Sequence, residues 1–278
     1  MDISLGFIGA GNMGAAMVKS IAKSGLIKPG NIYIFDVDTD KVNTLKSETG
    51  INVLGSAGEI VKKSDLIILA VKPNLVKIVL DACKESFNSD KILVSVAVGL
   101  PISLYKGILG SDKKVIRTMP NTPALVGEGM TLVSFDNNIS KDDLGLVLPL
   151  FETMGKVEVL DEKLMSEVTA LTGSSPAYVF MFIEAMADAA VLSGIPRNLA
   201  YKLASQAVLG SAKMVLETGK HPGELKDQVC SPAGTTIEAV STLEKNGFRY
   251  AIIDAMNECT KRAREIGKQY AKDINKES

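Results

Sequence analysis

The feature that most constrains this chain is Gly9-Ala-Gly11-Asn-Met-Gly14, which follows the apolar run Ile3–Ile8 and opens a helical pattern from Met13 to Ser24. In that strand–turn–helix setting a G-x-G-x-x-G reads as a dinucleotide-binding turn. Gly9 permits the tight turn, Gly11 lets backbone approach a pyrophosphate, and Gly14 lets helix and strand pack closely. The helix start then offers unpaired N–H groups and partial positive charge to phosphates. A glycine-rich turn without a ligand is the plainer alternative, but strand, helix and downstream acid are all in place.

That acid is Asp36, at the end of the second apolar run and about 20 residues past the glycines, as the dinucleotide pattern asks. Its carboxylate suits the adenosine ribose hydroxyls and repels a 2′-phosphate. Asp38 and Asp40 add to the repulsion and no arginine follows, so the charges favour NADH over NADPH. The same acids mimic the start of a calcium loop, yet Lys41 stands where glycine is needed and Ser47 where glutamate is needed. Calcium is excluded.

Further β-branched runs occur at Ile32–Phe35, Leu66–Val71, Ile92–Val98, Val115–Met119 and Met130–Phe135, most of them too continuous for one-sided strands. Helical segments Lys41–Thr49 and Ala57–Lys63 lie between the first of them, the latter opened by a Ser56/Glu59 capping box. The alternation predicts an α/β, Rossmann-type doubly wound parallel sheet over residues 1–161. From 162 to 278 the pattern becomes all-helical, at Leu164–Thr169, Ala177–Ser193, Asn198–Thr218, Thr236–Asn246 and Phe248–Ala271, with Gly194, Gly219 and Gly247 as stops. Tyr178–Leu192 is apolar nearly all round. Such a helix must be enclosed, by a second subunit or by its own bundle.

Composition narrows the chemistry. The 31 Lys+Arg balance 32 Asp+Glu, too even for the positive field that nucleic acid requires. No run of apolar residues reaches membrane-spanning length unbroken, since Glu184 and Asp188 interrupt the nearest, and the first residues carry no export signal. The cytoplasm is the expected location. Cys83, Cys230 and Cys259 are widely separated, without the pairing of a zinc site, and no metal is expected. His221 is the single histidine, in the turn-like Lys-His-Pro-Gly, so any histidine-based acid, triad or metal centre must use it.

Other segments reach the expected ligand edge of the sheet: Ala70-Val71-Lys72-Pro73 after the third long strand and Ser95–Gly99 after the fourth. Lys72 reads equally as a phosphate or ribose contact and as a solvated lysine at a strand end. Arg117–Pro123, with two prolines, suits a pocket wall or an ordinary turn. In Ser231-Pro-Ala-Gly234-Thr235-Thr236-Ile237-Glu238, Thr235 reads as N-cap and Glu238 as its capping partner. The start of that helix could hold a small carboxylate, or satisfy only itself. Scarcity of histidine weakly favours a C=N substrate: an iminium already carries the charge that draws a hydride, whereas a ketone normally needs a positioned acid.

Four segments together resemble the pyrroline-5-carboxylate reductase family: Gly6–Gly14, Ala70–Pro73, Thr169–Tyr178 and His221–Ala239. The first is shared by many dehydrogenases and the last is highly specific. The resemblance implies reduction of 1-pyrroline-5-carboxylate to L-proline with a nicotinamide cofactor. It also implies that Ile8, Gly9, Ala10, Gly11, Asn12 and Met13, with Ala70–Pro73 and Val96, Ala97 and Val98, line that cofactor. Glu162, Thr235, Thr236 and Ile237 would face substrate, with Ser231 and Gly234 in the same loop, and Thr236 would hydrogen-bond the ring nitrogen. The family further suggests an interlocked homodimer, often a decamer of five dimers, with each site completed by the partner's helices. Two departures stand out: Asp36 replaces the Ser, or Asn with Arg, that receives a 2′-phosphate, and Ala57 replaces an Asn.

A β-hydroxyacid dehydrogenase-like enzyme shares the opening signature but is expected to place a lysine at the domain junction, where Thr172-Gly-Ser-Ser-Pro176 has none before Lys202. A dinucleotide-sensing module without turnover requires the anion site of the second domain to be absent or blocked.

Overall fold

The apolar runs are strands buried on both faces: every residue of β1 (Leu5–Ile8), β4 (Leu66–Leu69) and β5 (Ile92–Ser95) is buried. With β2 (Ile32–Phe35), β3 (Asn52–Val53), β6 (Lys114–Met119), β7 (Gly129–Phe135) and β8 (Gly155–Val159) they form one eight-stranded sheet, ordered β3-β2-β1-β4-β5-β6-β7-β8. The computed structural model describes residues 1–276, with side chains to Gln269. Residues 1–173 and those from Thr260 onward pack as one unit, and Ser174–Cys259 as another.

In the first unit α1 (Asn12–Ser24), α2 (Thr39–Thr49), α3 (Ala57–Lys63), α4 (Val76–Asp81), α5 (Ile102–Leu109) and α6 (Lys141–Glu152) accompany the sheet. The two larger buried apolar clusters of this unit join Met17 and Ile21 of α1 to β1 and β2, and Ile60 of α3 and Leu80 of α4 to β4 and β5. Every neighbouring pair of strands is parallel except β6 and β7, which are antiparallel. The purely parallel expectation therefore fails at that edge. Residues 120–128, which join the two strands, hold only a short 3₁₀ turn, too little chain for the crossover a parallel step needs. α6 supplies such a crossover from β7 to β8.

The second unit contains α7 (Ser175–Leu192), α8 (Arg197–Thr218), α9 (Pro222–Val229) and α10 (Thr235–Lys245); α11 (Phe248–Lys276) begins in it and ends in the first. The helix expected at Leu164–Thr169 is instead a 3₁₀ turn, Glu162–Leu164, followed by a π turn, Thr169–Gly173. There Thr169 and Thr172 donate their hydroxyls back to the Met165 and Val168 carbonyls, the local competition that disfavours regular helix. Within α7 only Ala187 is buried; Phe180 and Met181 are 60% and 68% exposed. By length and composition residues Thr169–Leu192 could cross a membrane, although Glu184 and Asp188 fall inside the segment. The end of α11 lies on the first unit: the Arg264 guanidinium donates from Nε and Nη2 to both carboxylate oxygens of Glu167, and Ile266 stands beside Gly99.

Candidate active site

The strand order reverses between β1 and β4, and the crevice outside their carboxyl ends is where sheets of this class bind ligands. The glycine turn sits there. Gly9 has φ +109°, and a Cβ on it would lie 2.4 Å from the Ala70 carbonyl oxygen; a Cβ on Gly14 would lie 2.3 Å from the Gly9 oxygen. Protein packing alone thus demands those two. Gly11 differs: its φ of −65° is ordinary, and a Cβ there would meet nothing within 4 Å. Its small size leaves open space over the backbone, room of the kind a pyrophosphate needs. Gly11 is also the N-cap of α1 and brings no capping side chain, so the donors of the first turn are left for a ligand.

Asp36 is tied into this turn. Its Oδ2 accepts from the Ala10 N–H at 2.5 Å and its Oδ1 from the Asp38 N–H at 2.9 Å. The carboxylate thus stands beside the phosphate loop with both oxygens oriented. Among the other residues expected to line a cofactor, Ile8, Ala10 and Ala97 are buried, while Lys72 and Val98 are exposed.

Glu162 is half-buried. Its Oε1 accepts from the Ile102 N–H at 2.7 Å and from Arg117 at 3.2 Å, leaving Oε2 for a further donor. Arg117 itself is buried, the last but two of β6. Tyr105, missed by sequence reasoning, is fully buried with its hydroxyl 2.6 Å from that of Ser95, and burial pushes its phenol up to about 12. Nothing in the α5 pattern marks it, because an apolar position and a buried tyrosine look alike in periodicity.

In the helical unit, Gly234 and not Thr235 is the N-cap of α10, with φ −85°, ψ 170° and no capping side chain. The expected capping box is therefore absent. The turn closed by the Gly234 N–H on the Ser231 carbonyl carries the chain into α10 at Gly234 and leaves Thr235 as the first helical residue. Ala233 before that glycine has φ +56°, the one non-glycine residue with positive φ among those described, and Asn and Asp are the side chains that usually tolerate it. The result is a helix head with backbone donors uncovered by any side chain. Thr236 is partly buried there; Ser231, Thr235 and Ile237 are exposed. His221 caps α9 through Nδ1, which accepts from the Gly223 N–H at 3.1 Å.

A Rossmann-type nucleotide turn, an ordered acid beside it and a helical unit with an open helix head define a pyridine-nucleotide-dependent oxidoreductase. Residues 162–266 match the family described as pyrroline-5-carboxylate reductase dimerisation, and residues 4–99 that described as NADP oxidoreductase, coenzyme F420-dependent. The chain is 50% identical over 268 residues to pyrroline-5-carboxylate reductase of Escherichia coli, covering 96% of this chain and 100% of that one, and 43% identical to the enzyme of Arabidopsis thaliana over 95% and 96%. A pyrroline-5-carboxylate reductase structure from Coxiella burnetii superposes with TM-score 0.90 at 32% identity, over 96% and 99% of the two chains. The Plasmodium falciparum pyrroline carboxylate reductase, with NADP bound, gives 0.86 at 35%, over 96% and 98%. The chain belongs to the pyrroline-5-carboxylate reductase family. The hydroxyacid dehydrogenase and non-catalytic alternatives give way to a match that runs through both modules.

Proposed function

We propose that this chain reduces 1-pyrroline-5-carboxylate to L-proline with NAD(P)H, using residues 1–161 for the nucleotide and residues 162–278 for substrate binding and dimerisation. The bound reduced nicotinamide supplies the hydride. The observation that carries the reading is the uncapped head of α10 behind Gly234, whose N–H donors suit the carboxylate of a small cyclic imine.

Ile8–Gly14, Asp36, Ala70–Pro73 and Val96–Val98 hold the nucleotide in this reading. Ser231, Gly234, Thr235 and Ile237 frame the carboxylate, and Glu162 Oε2 is left to receive a substrate donor. Thr236 Oγ1 lies within the first turn of the same helix and hydrogen-bonds the ring nitrogen. Reduction then needs no histidine: hydride adds to the imine carbon, the C=N electron pair moves onto a nitrogen that already carries its proton, and Thr236 keeps that nitrogen oriented. Asp36, held beside the ribose position, favours NADH. The P. falciparum relative holds NADP. Self-association runs through the apolar helical unit, with five dimers in a decamer as the family's assembly. Three unpaired thiols suit a reducing cytoplasm.

The test is direct. The purified protein oxidises NADH when pyrroline-5-carboxylate is added, and Thr236→Ala lowers kcat by about a hundredfold while NADH binding, followed by its fluorescence, is unchanged. An unaltered rate removes Thr236 from the chemistry.

A further inference from the structure

Residues 96–101, between β5 and α5, form a loop whose two ends are both clamped within the first unit. At the near end Ser95, the last residue of β5, is fully buried between β4 and β6. Its Oγ accepts from the Ala97 N–H at 3.2 Å and meets the Tyr105 hydroxyl at 2.6 Å, while its carbonyl accepts from Thr118 Oγ1 at 3.0 Å. At the far end Pro101 is the N-cap of α5 and has no side chain to cap with; Glu162 Oε1, held by Arg117, takes the Ile102 N–H instead. The tip of the loop is left to solvent, with Val98 50% exposed.

Packing does not explain the Tyr105 hydroxyl. Phenylalanine would fill the same enclosed volume without a polar group to satisfy. The oxygen's recorded partner is Ser95, and a serine alone at a strand end has three staggered positions, only some of which accept from Ala97. We propose that Tyr105 is a positioning residue for the nucleotide site, acting through Ser95 to hold the loop that carries Val96–Val98. This rests on the reading that those three residues line the cofactor. A buried phenol that stays protonated across the working pH range keeps the bond constant.

The experiment compares Tyr105→Phe, Ser95→Ala and the double variant in steady-state assays that vary NADH and pyrroline-5-carboxylate in turn, with Val98→Glu as a check on the loop itself. Tyr105→Phe raises KM for NADH about three- to tenfold and leaves KM for the imine unchanged. The double variant is no worse than Ser95→Ala alone, because the two side chains act as one unit. A Tyr105→Phe enzyme with wild-type KM for NADH overturns the assignment whatever happens to its melting temperature, and so does a double variant whose losses multiply. If Val98→Glu raises KM for NADH while Tyr105→Phe does not, only the role of Tyr105 fails; if Val98→Glu is also silent, the placement of the cofactor fails with it.

Discussion

Helix α7 and strand β4 are both dominated by apolar side chains, yet one is buried at a single residue and the other at all four. The sheet is enclosed by its own helices, so its hydrophobic content is used up within one chain. The helical unit leaves Phe180, Met181, Leu192 and Leu216 largely uncovered, more apolar surface than a self-sufficient bundle exposes. That uncovered surface is in keeping with self-association, since residues 162–266 match a dimerisation family. Apolar side chains thus close a core in one region and stay uncovered in the other.

Three variants sharpen that contrast. Phe180→Asp with Met181→Glu places two unpaired charges on the α7 surface, each costing about 3 kcal/mol when buried at an interface. Sedimentation velocity then reports a shift towards monomer by about four powers of ten in the association constant, with the circular dichroism of the sheet unit retained. Retained self-association would mean that another face closes the helical unit. In the first region Gly14→Val forces side-chain carbon against the Gly9 carbonyl, destabilises by about 2–4 kcal/mol and abolishes NADH binding, as followed by thermal melting and titration. A variant that melts and binds normally would show that the turn tolerates what its geometry forbids. The smallest effect is at Asp36→Ser, which removes a charge beside the ribose position and raises the NADPH:NADH ratio of kcat/KM by about tenfold; an unchanged ratio moves the specificity away from that carboxylate.

The sequence was most readable where local rules and tertiary packing agree. Ala57–Lys63 forms the helix expected, and Ser56 Oγ accepts from the Glu59 N–H, although the Glu59 carboxylate reaches the Gly55 N–H instead of that of Ser56. The glycine turn was legible for the same reason, since Gly9 and Gly14 are each required by close backbone packing. Other elements were set by neighbours distant in sequence. The direction of β7 follows from a connection too short to cross over, and α4, α5 and α9 are short helices whose apolar faces are too brief to show a period. In the loop before α10, Thr235 outranks glycine as a cap by preference, yet Gly234 takes the cap position in a turn closed on the Ser231 carbonyl, and no propensity contains that bond. The Tyr105–Ser95 bond was hidden because it links a helix to the strand end before it through side chains that sequence patterns count only as core.

The last helix has a consequence for how the molecule can be divided. Because α11 starts among the helices and finishes against Glu167 and Gly99, the polypeptide leaves the nucleotide unit once and comes back. A protease that nicks anywhere in 174–259 releases no intact half: the amino-terminal fragment loses its closing segment, and the carboxyl-terminal one keeps a stretch evolved to lie on something else. Expressing the sheet unit alone therefore calls for a grafted tail, with residues 260–276 rejoined to 173 through a linker, and not for a simple stop codon.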